Sequence, residues 1–218
     1  MKKASAAHLV RLRDPGATKT RILEAAKREF AKFGFGGARV DSIAIRAHAN
    51  KRMIYHYFSS KEELFTAVLE EAYLDIRAAE RRLALDTLEP EEALDTLVRF
   101  TWKYYLANPA FLTFVNSENL HKARHLKNSA IINQEYPHFI AVVEGIIDRG
   151  VIKGVFRRGL DAVQLNITIA AINYYYLTNR YTGSIIYDRN LMSEKHLDER
   201  LQFNVDTIRR LVRVDLAR

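Results

Sequence analysis

Apolar residues return every three or four positions along most of the chain, and this period decides the architecture. Ile22, Leu23, Ala26, Phe30 and Phe33 fall on one helical face, and Val40, Ile43, Ala44 and Ala47 on another. Leu64, Phe65, Val68, Leu69, Ala72 and Ile76 form a third stripe, and Leu197, Leu201, Val205, Ile208 and Val212 repeat at intervals of 4, 4, 3 and 4. No segment alternates convincingly as a strand would. With four prolines and nine glycines in 218 residues, helix breakers are scarce. The expected fold class is all-α.

Punctuation divides the chain. Residues 1–17 have no clean period, contain the turn signal Asp14-Pro15-Gly16, and carry Lys2, Lys3, Arg11 and Arg13, which reads as a basic arm. Thr18 is placed to N-cap the first helix and Gly34 to close it. A short helix follows over the second stripe, His48-Ala49-Asn50 interrupts it, and Ile54, Tyr57 and Phe58 mark another over 51–57: a helix-turn-helix pattern. Ser59 or Ser60 then caps a long helix, with Glu62 and Glu63 in its first turn, running to about Leu88. Pro90 opens the next helix and Asn108-Pro109 ends it. One or two short helices are expected over 110–128, a helix kinked at Pro137 over 129–149, a connector from Gly150 to Gly159, a helix apolar almost all round over 161–181, and a last one over 197–213. The resulting domains are an arm at 1–17, a helix-turn-helix domain at 18–60, and a larger helical body at 61–218.

Charge is unevenly distributed. Residues 1–61 hold 14 Lys and Arg against four acids, a net of +10, while the remainder is at −2. A basic head joined to a near-neutral body points to a polyanion partner for the head. The absence of cysteine excludes disulfides and thiolate metal sites and suits a cytoplasmic location. No apolar run reaches the ~18–20 residues of a membrane span, so no membrane partner is expected. The glycine and histidine motifs of hydrolases, nucleotide-binding loops and zinc proteases are missing, and no enzyme activity or cofactor is expected.

The segment TKTRILEAAKREFAKFGFGGARVDSIAIRAHANKRMIYHYFSSKEELFTAVL, residues 18–69, resembles the DNA-binding domain of the TetR family of transcription regulators. The first helix, the I-A-x-x-A turn region and Y-x-Y-F-x-x-K-E-E-L-F carry the likeness. His48-Ala49-Asn50 stands where many members have Gly-Val-Ser, and Arg39 where Thr often caps the second helix. The resemblance implies a homodimeric regulator of double-stranded operator DNA, released by a small-molecule effector. A DNA-binding nucleoid or division factor of the same fold, without an effector, is the alternative.

On 51–57 the inner face is held by Ile54 and Phe58, leaving Lys51, Arg52, Met53 and His56 outside it. Arg52 can grip guanine O6 and N7, and Met53 can touch a thymine methyl. By family position Tyr55, Tyr57 and Lys61 bind phosphates, helped by Asn50, Ser42 and Arg39. In the body, the rings Trp102, Tyr105, Phe111, Phe114 and Tyr136 and the polar residues Asn116, Glu118, Asn119, His121, Arg124, Asn133 and Asn173 are the candidate effector site, because apolar walls with a few polar groups suit a small, mostly planar ligand such as an aromatic or heteroaromatic acid. Leu201, Val205, Ile208 and Val212 are the candidate dimer interface. Glu118, His121 and His125 have a spacing a metal can use, but surface histidines are commoner, so no metal is assigned.

Overall fold

Side chains set most helix starts. In a computed structural model that describes residues 15–127 and 129–214, the helices are α1 (Pro15–Gly37), α2 (Val40–Arg46), α3 (Lys51–Phe58), α4 (Lys61–Arg81), α5 (Pro90–Ala107), α6 (Pro109–Leu120), α7 (Ala130–Ile152), α8 (Ala162–Thr178), α9 (Arg180–Ile186) and α10 (Glu194–Val212). Asn50 caps α3 by accepting from the Met53 amide at 2.8 Å, and Ser60, rather than Ser59, caps α4 through the Glu63 amide at 3.0 Å. Ser129, Asp161 and Ser193 do the same for α7, α8 and α10. Pro90 and Pro109 sit in the first turns of α5 and α6, where a missing N–H is harmless. Among the described residues there is no strand, only an isolated antiparallel bridge between Phe156 and Arg213.

Several boundaries differ from expectation. Helix α1 begins at Pro15, so Thr18 lies inside it, where its buried hydroxyl accepts from Arg21 Nη2 at 3.0 Å. Gly34 does break helical geometry, with φ of 63°, but a further turn continues to Gly37. Helix α4 stops at Arg81 instead of about Leu88, α7 runs through Pro137 to Ile152, and α8 gives way at Asn179 to the separate α9. Lys2, Lys3, Arg11 and Arg13 of the basic arm lie outside the described residues.

The chain divides into two compact units, one through Val68 and one from Leu69. The first is centred on the rings of Phe30, Phe35 and Phe65, with centroids of the last pair 5.1 Å apart, and is filled by Ile22, Ile43, Ile54 and Leu64. The second has two apolar clusters. One joins α5, α7, α8 and α10 through Leu94, Val98, Val143, Ile146, Ile169, Val205 and Ile208. The other is aromatic and gathers Trp102, Tyr104, Tyr105 and Phe111 beside Ile76 and Leu177. Gly150 is fixed by packing: a Cβ there would sit 2.0 Å from the Phe156 ring.

Candidate nucleic-acid interface and effector cleft

In the first unit, α2 begins without a threonine cap. Arg39 at the N-cap of α2 makes no side-chain cap bond, and its backbone amide is instead received by Glu29 Oε1 from α1, at 3.2 Å. Glu29 is buried, so a residue of the long first helix fixes where the second begins. His48 takes φ of 49° to reverse the chain, and Asn50 opens α3.

Helix α3 then segregates its side chains by contact. Ile54 and Phe58 are buried, Met53 and Tyr57 are half-buried, and Lys51, Arg52, Tyr55 and His56 are exposed. Arg39 is exposed and Ser42 half-buried on α2 and its approach. Two of the expected DNA-contacting lysines have prior engagements. Lys51 Nζ lies 2.9 Å from Asp41, whose hydrogen bond and charge hold the ammonium pKa above its ordinary value. Lys61 Nζ sits 4.8 Å over the Phe35 ring, and partial burial pushes its pKa down. An anion arriving there would offset the burial that disfavours the charged form. Asn50 spends its side-chain oxygen on the cap, a structural duty alongside the phosphate role expected of it.

The second unit contains an open cleft of about 450 Å³ lined by Tyr73 of α4, Tyr105 of α5, Phe111, Val115, Asn116 and Asn119 of α6, Tyr136 of α7, and Ala170, Ala171 and Tyr174 of α8. The rings contact edge to face: Tyr73 with Phe111 at 5.4 Å and with Tyr136 at 6.0 Å. Tyr174 donates its hydroxyl to Asn116 Oδ1. Burial drives the phenol pKa values of Tyr73, Tyr105 and Tyr136 upward, so these hydroxyls stay protonated and neutral at physiological pH. The cleft therefore offers flat apolar walls, neutral hydroxyl donors and carboxamides, a donor set for a flat molecule with hydrogen-bonding edges.

Of the twelve expected effector residues, Tyr105, Phe111, Asn116, Asn119 and Tyr136 line this cleft. The others have different work. Trp102 and Phe114 are buried in the core, Trp102 against Tyr176 at 5.6 Å. Asn173 is fully buried, bonded to the Ile169 carbonyl and to Asn204, both at 2.8 Å. Glu118 is buried and bound to the His125 and Leu126 amides and to His125 Nδ1. His121 Nδ1 meets the Ser117 carbonyl at 2.7 Å, Arg124 Nε points at His125 Nε2, and Asn133 is exposed. Among the described residues, no cluster of three or more metal-ligating side chains is present. Tyr73, Val115, Ala170 and Ala171 were missed. The pair of alanines inside an otherwise bulky α8 is the sequence signal that leaves room for the cleft.

The dimer expectation needs correction. Val205, Ile208 and Val212 are buried within their own protomer, against α5, α7 and α8, and Leu201 packs on the same cores. The opposite side of α10 exposes Phe203 and Leu211, and α8 and α9 expose Val163, Ile167, Tyr175, Tyr181, Ile185 and Ile186. The residues of α8 therefore do not bury all round, as its composition suggested.

A helix-turn-helix unit with a polar outward face, coupled in one chain to a helical body with a ring-lined cleft, defines a DNA-binding regulator. Residues 22–68 match the family description "Bacterial regulatory proteins, tetR family", and residues 90–208 match "Tetracyclin repressor-like, C-terminal domain". The chain is 41% identical to the HTH-type transcriptional repressor NicS of Pseudomonas putida, over 80% of this chain and 82% of NicS. It is 39% identical to the repressor SCO4008 of Streptomyces coelicolor, over 64% of this chain and 70% of that protein. Its fold matches the fatty acid degradation regulator FadR of Bacillus halodurans with a TM-score of 0.64 and 19% identity, over 95% and 97% of the two chains. The chain belongs to the TetR family: it is a sequence-specific DNA-binding transcription regulator. No described helix is long and apolar enough to cross a membrane.

Proposed function

We propose that the chain acts as a homodimeric repressor released from its operator when a small planar molecule occupies the ring-lined cleft. The observation that carries this reading is the cleft itself, with its four tyrosines, Phe111 and two asparagines. A nucleoid or division factor without an effector has no use for an open, polar-edged cavity of that size. The relatives named as repressors support the sign of regulation. Effector binding shifts the equilibrium toward a conformer whose two heads no longer match half-sites ~34–36 Å apart, and α4, which carries the chain from head to body, is the element through which that shift passes.

On the DNA side, α3 enters the major groove. Arg52 and Met53 read base edges, His56 lies beside them, and Lys51, Tyr55, Tyr57 and Lys61, with Arg39, Ser42 and Asn50, hold phosphates. Replacing Arg52 by Ala is expected to cost roughly 1–3 kcal/mol on the cognate operator and little on scrambled DNA. Lys61→Ala should weaken both DNAs alike and reduce the salt slope by about one. Gel shifts on the two sequences at several salt concentrations separate these behaviours. Equal losses for Arg52→Ala on both DNAs would remove it from base reading.

On the effector side, Asn116→Ala takes away a carboxamide and releases the Tyr174 hydroxyl. It should weaken ligand-induced operator release by about tenfold, the worth of one or two hydrogen bonds, with unliganded operator affinity unchanged. Operator release measured by fluorescence anisotropy against ligand concentration tests this. An unaltered midpoint would move the effector out of the cleft.

A further inference from the structure

Helix α2 is short, and side chains of α1 hold it at both ends. At its start the Arg39 amide donates to Glu29 Oε1 at 3.2 Å, while the Arg39 side chain makes no cap bond. At its end the Ala47 carbonyl accepts from Arg21 Nε, a longer bond of 3.4 Å. Arg21 is steadied in turn by Thr18, whose buried hydroxyl accepts from Arg21 Nη2 at 3.0 Å. A carboxylate thus stands at the start of α2 and a guanidinium at its end, the signs that the helix dipole favours.

The two contacts are matched in spacing. Arg21 and Glu29 are eight residues apart on α1, and Arg39 and Ala47 are eight residues apart along α2. Each interval spans roughly 12 Å of helix. The later residue of α1 meets the start of α2 and the earlier one meets its end, so the two helices run antiparallel. A slip of α2 by one residue along α1 breaks both bonds together. Apolar packing is non-directional and specifies such a register less sharply than two directional bonds.

This register bears on DNA recognition. Ala38 and Val40, on either side of Arg39, are buried, so the exposed Arg39 side chain is presented from a fixed root. Helix α3 packs on α2, and its Lys51 reaches back to Asp41 of α2 at 2.9 Å. Moving α2 therefore moves α3 with it. Hydrogen bonds to base edges need heavy atoms within about 2.7–3.2 Å, so a displacement of about 1 Å is enough to lose them.

We propose that Glu29 and Arg21 are positioning residues for sequence discrimination: a clamp on α1 that sets the register of the helix-turn-helix and so aims α3 at the bases. Glu29 is the principal member, because it is buried and makes the shorter bond. Neither side chain has to touch DNA. The inference rests on α3 being the reading helix, which the Arg52→Ala comparison tests separately.

A duplex selected from random sequence by the wild-type protein, and a scrambled duplex of the same composition, give a discrimination ratio by fluorescence anisotropy at fixed salt. Glu29→Leu, which fills the space without an acceptor, should lower that ratio by about tenfold. Glu29→Gln keeps a carboxamide oxygen for the Arg39 amide and should stay within about twofold of the wild type. Arg21→Met should lower the ratio by a smaller factor, about threefold. A variant that is only less stable has a smaller folded fraction and loses on both duplexes alike, so the ratio separates misplacement from unfolding. The proposal is overturned if Glu29→Leu or Arg21→Met leaves the ratio unchanged, or if Glu29→Gln loses as much as Glu29→Leu. Hydrogen exchange on the wild-type protein decides the matter where Glu29→Leu fails to fold. The Arg39 amide should exchange at least about tenfold more slowly than an unstructured amide, and exchange at the unstructured rate overturns the clamp.

Discussion

Ile208→Glu is expected to unfold the protomer, whereas Phe203→Glu, five residues earlier on the same helix, should leave it folded and monomeric. Ile208 is 1% exposed and surrounded by the packing of α5, α7 and α8, so a carboxylate there is desolvated with no partner. That penalty, added to the lost apolar contacts, exceeds about 4 kcal/mol, a large share of the 5–15 kcal/mol that holds a typical domain. Phe203 is 61% exposed on the opposite face, and α8, which packs against α10, likewise leaves Ile167 and Tyr175 uncovered. An apolar surface of this extent on two adjacent helices is what a two-fold contact buries, and a charge placed there opposes its own copy across the axis. Circular dichroism and sedimentation together make the test. Helical Ile208→Glu dimers would place that residue outside the core, and dimeric Phe203→Glu would show that the subunits associate through another face. Loss of the dimer should also abolish tight operator binding, since each half-site alone is held weakly.

The same two residues explain where sequence reasoning stops. A stripe at intervals of 4, 4, 3 and 4 identifies the apolar side of α10 with confidence in its period, but period alone does not say whether that side meets its own protomer or a second one. Leu201, Val205, Ile208 and Val212 form the more regular stripe and bury first, inside the fold. Phe203 and Leu211 look like scattered apolar residues on a polar face until the neighbouring surface of α8 is seen. Composition misleads in α8 for a related reason: Val163 and Ile167 are apolar yet exposed, so an apolar run does not by itself mean burial within the chain.

The head was legible because its determinants are local. Asn50 before α3, Ser60 before α4 and the buried pair Ile54 and Phe58 are separated by a few residues, and caps and periods act over that range. The exception is the start of α2, where the acceptor comes from Glu29, ten residues earlier on another helix. The cleft was legible only in part, because it is assembled from five helices. Ring-rich segments named Tyr105, Phe111 and Tyr136, but nothing in local sequence separates a ring that lines a cleft from one, such as Trp102, that fills the core between helices. The buried amides fail in the same way: Asn173 suggests a ligand contact, yet its partner is Asn204, thirty-one positions away.

Glu118 is the sharpest of these cases, and its replacement carries the other large effect. In sequence, a carboxylate near His121 and His125 suggests a ligand or a metal. In the structure both oxygens are consumed by the chain itself: Oε1 accepts from the His125 amide at 2.8 Å and the Leu126 amide at 3.0 Å, and Oε2 meets His125 Nδ1 at 2.6 Å. These bonds hold down a stretch in which Lys122 and Ala123 take φ of 57° and 55°, an unfavourable left-handed conformation for residues with a Cβ. Glu118→Ala strands two backbone amides and a buried imidazole, at about 1–3 kcal/mol for each unsatisfied group, and is expected to destabilise the protein by roughly 2–5 kcal/mol. For a chain of this size that lowers Tm by roughly 5–15 °C. Glu118→Gln keeps one carboxamide oxygen for the amides and should lose only a fraction of that. Thermal denaturation of the three proteins, followed by circular dichroism, gives the comparison. A Tm for Glu118→Ala within about 1 °C of the parent would mean that the 121–127 segment is held by its other contacts and that this carboxylate is free for another role.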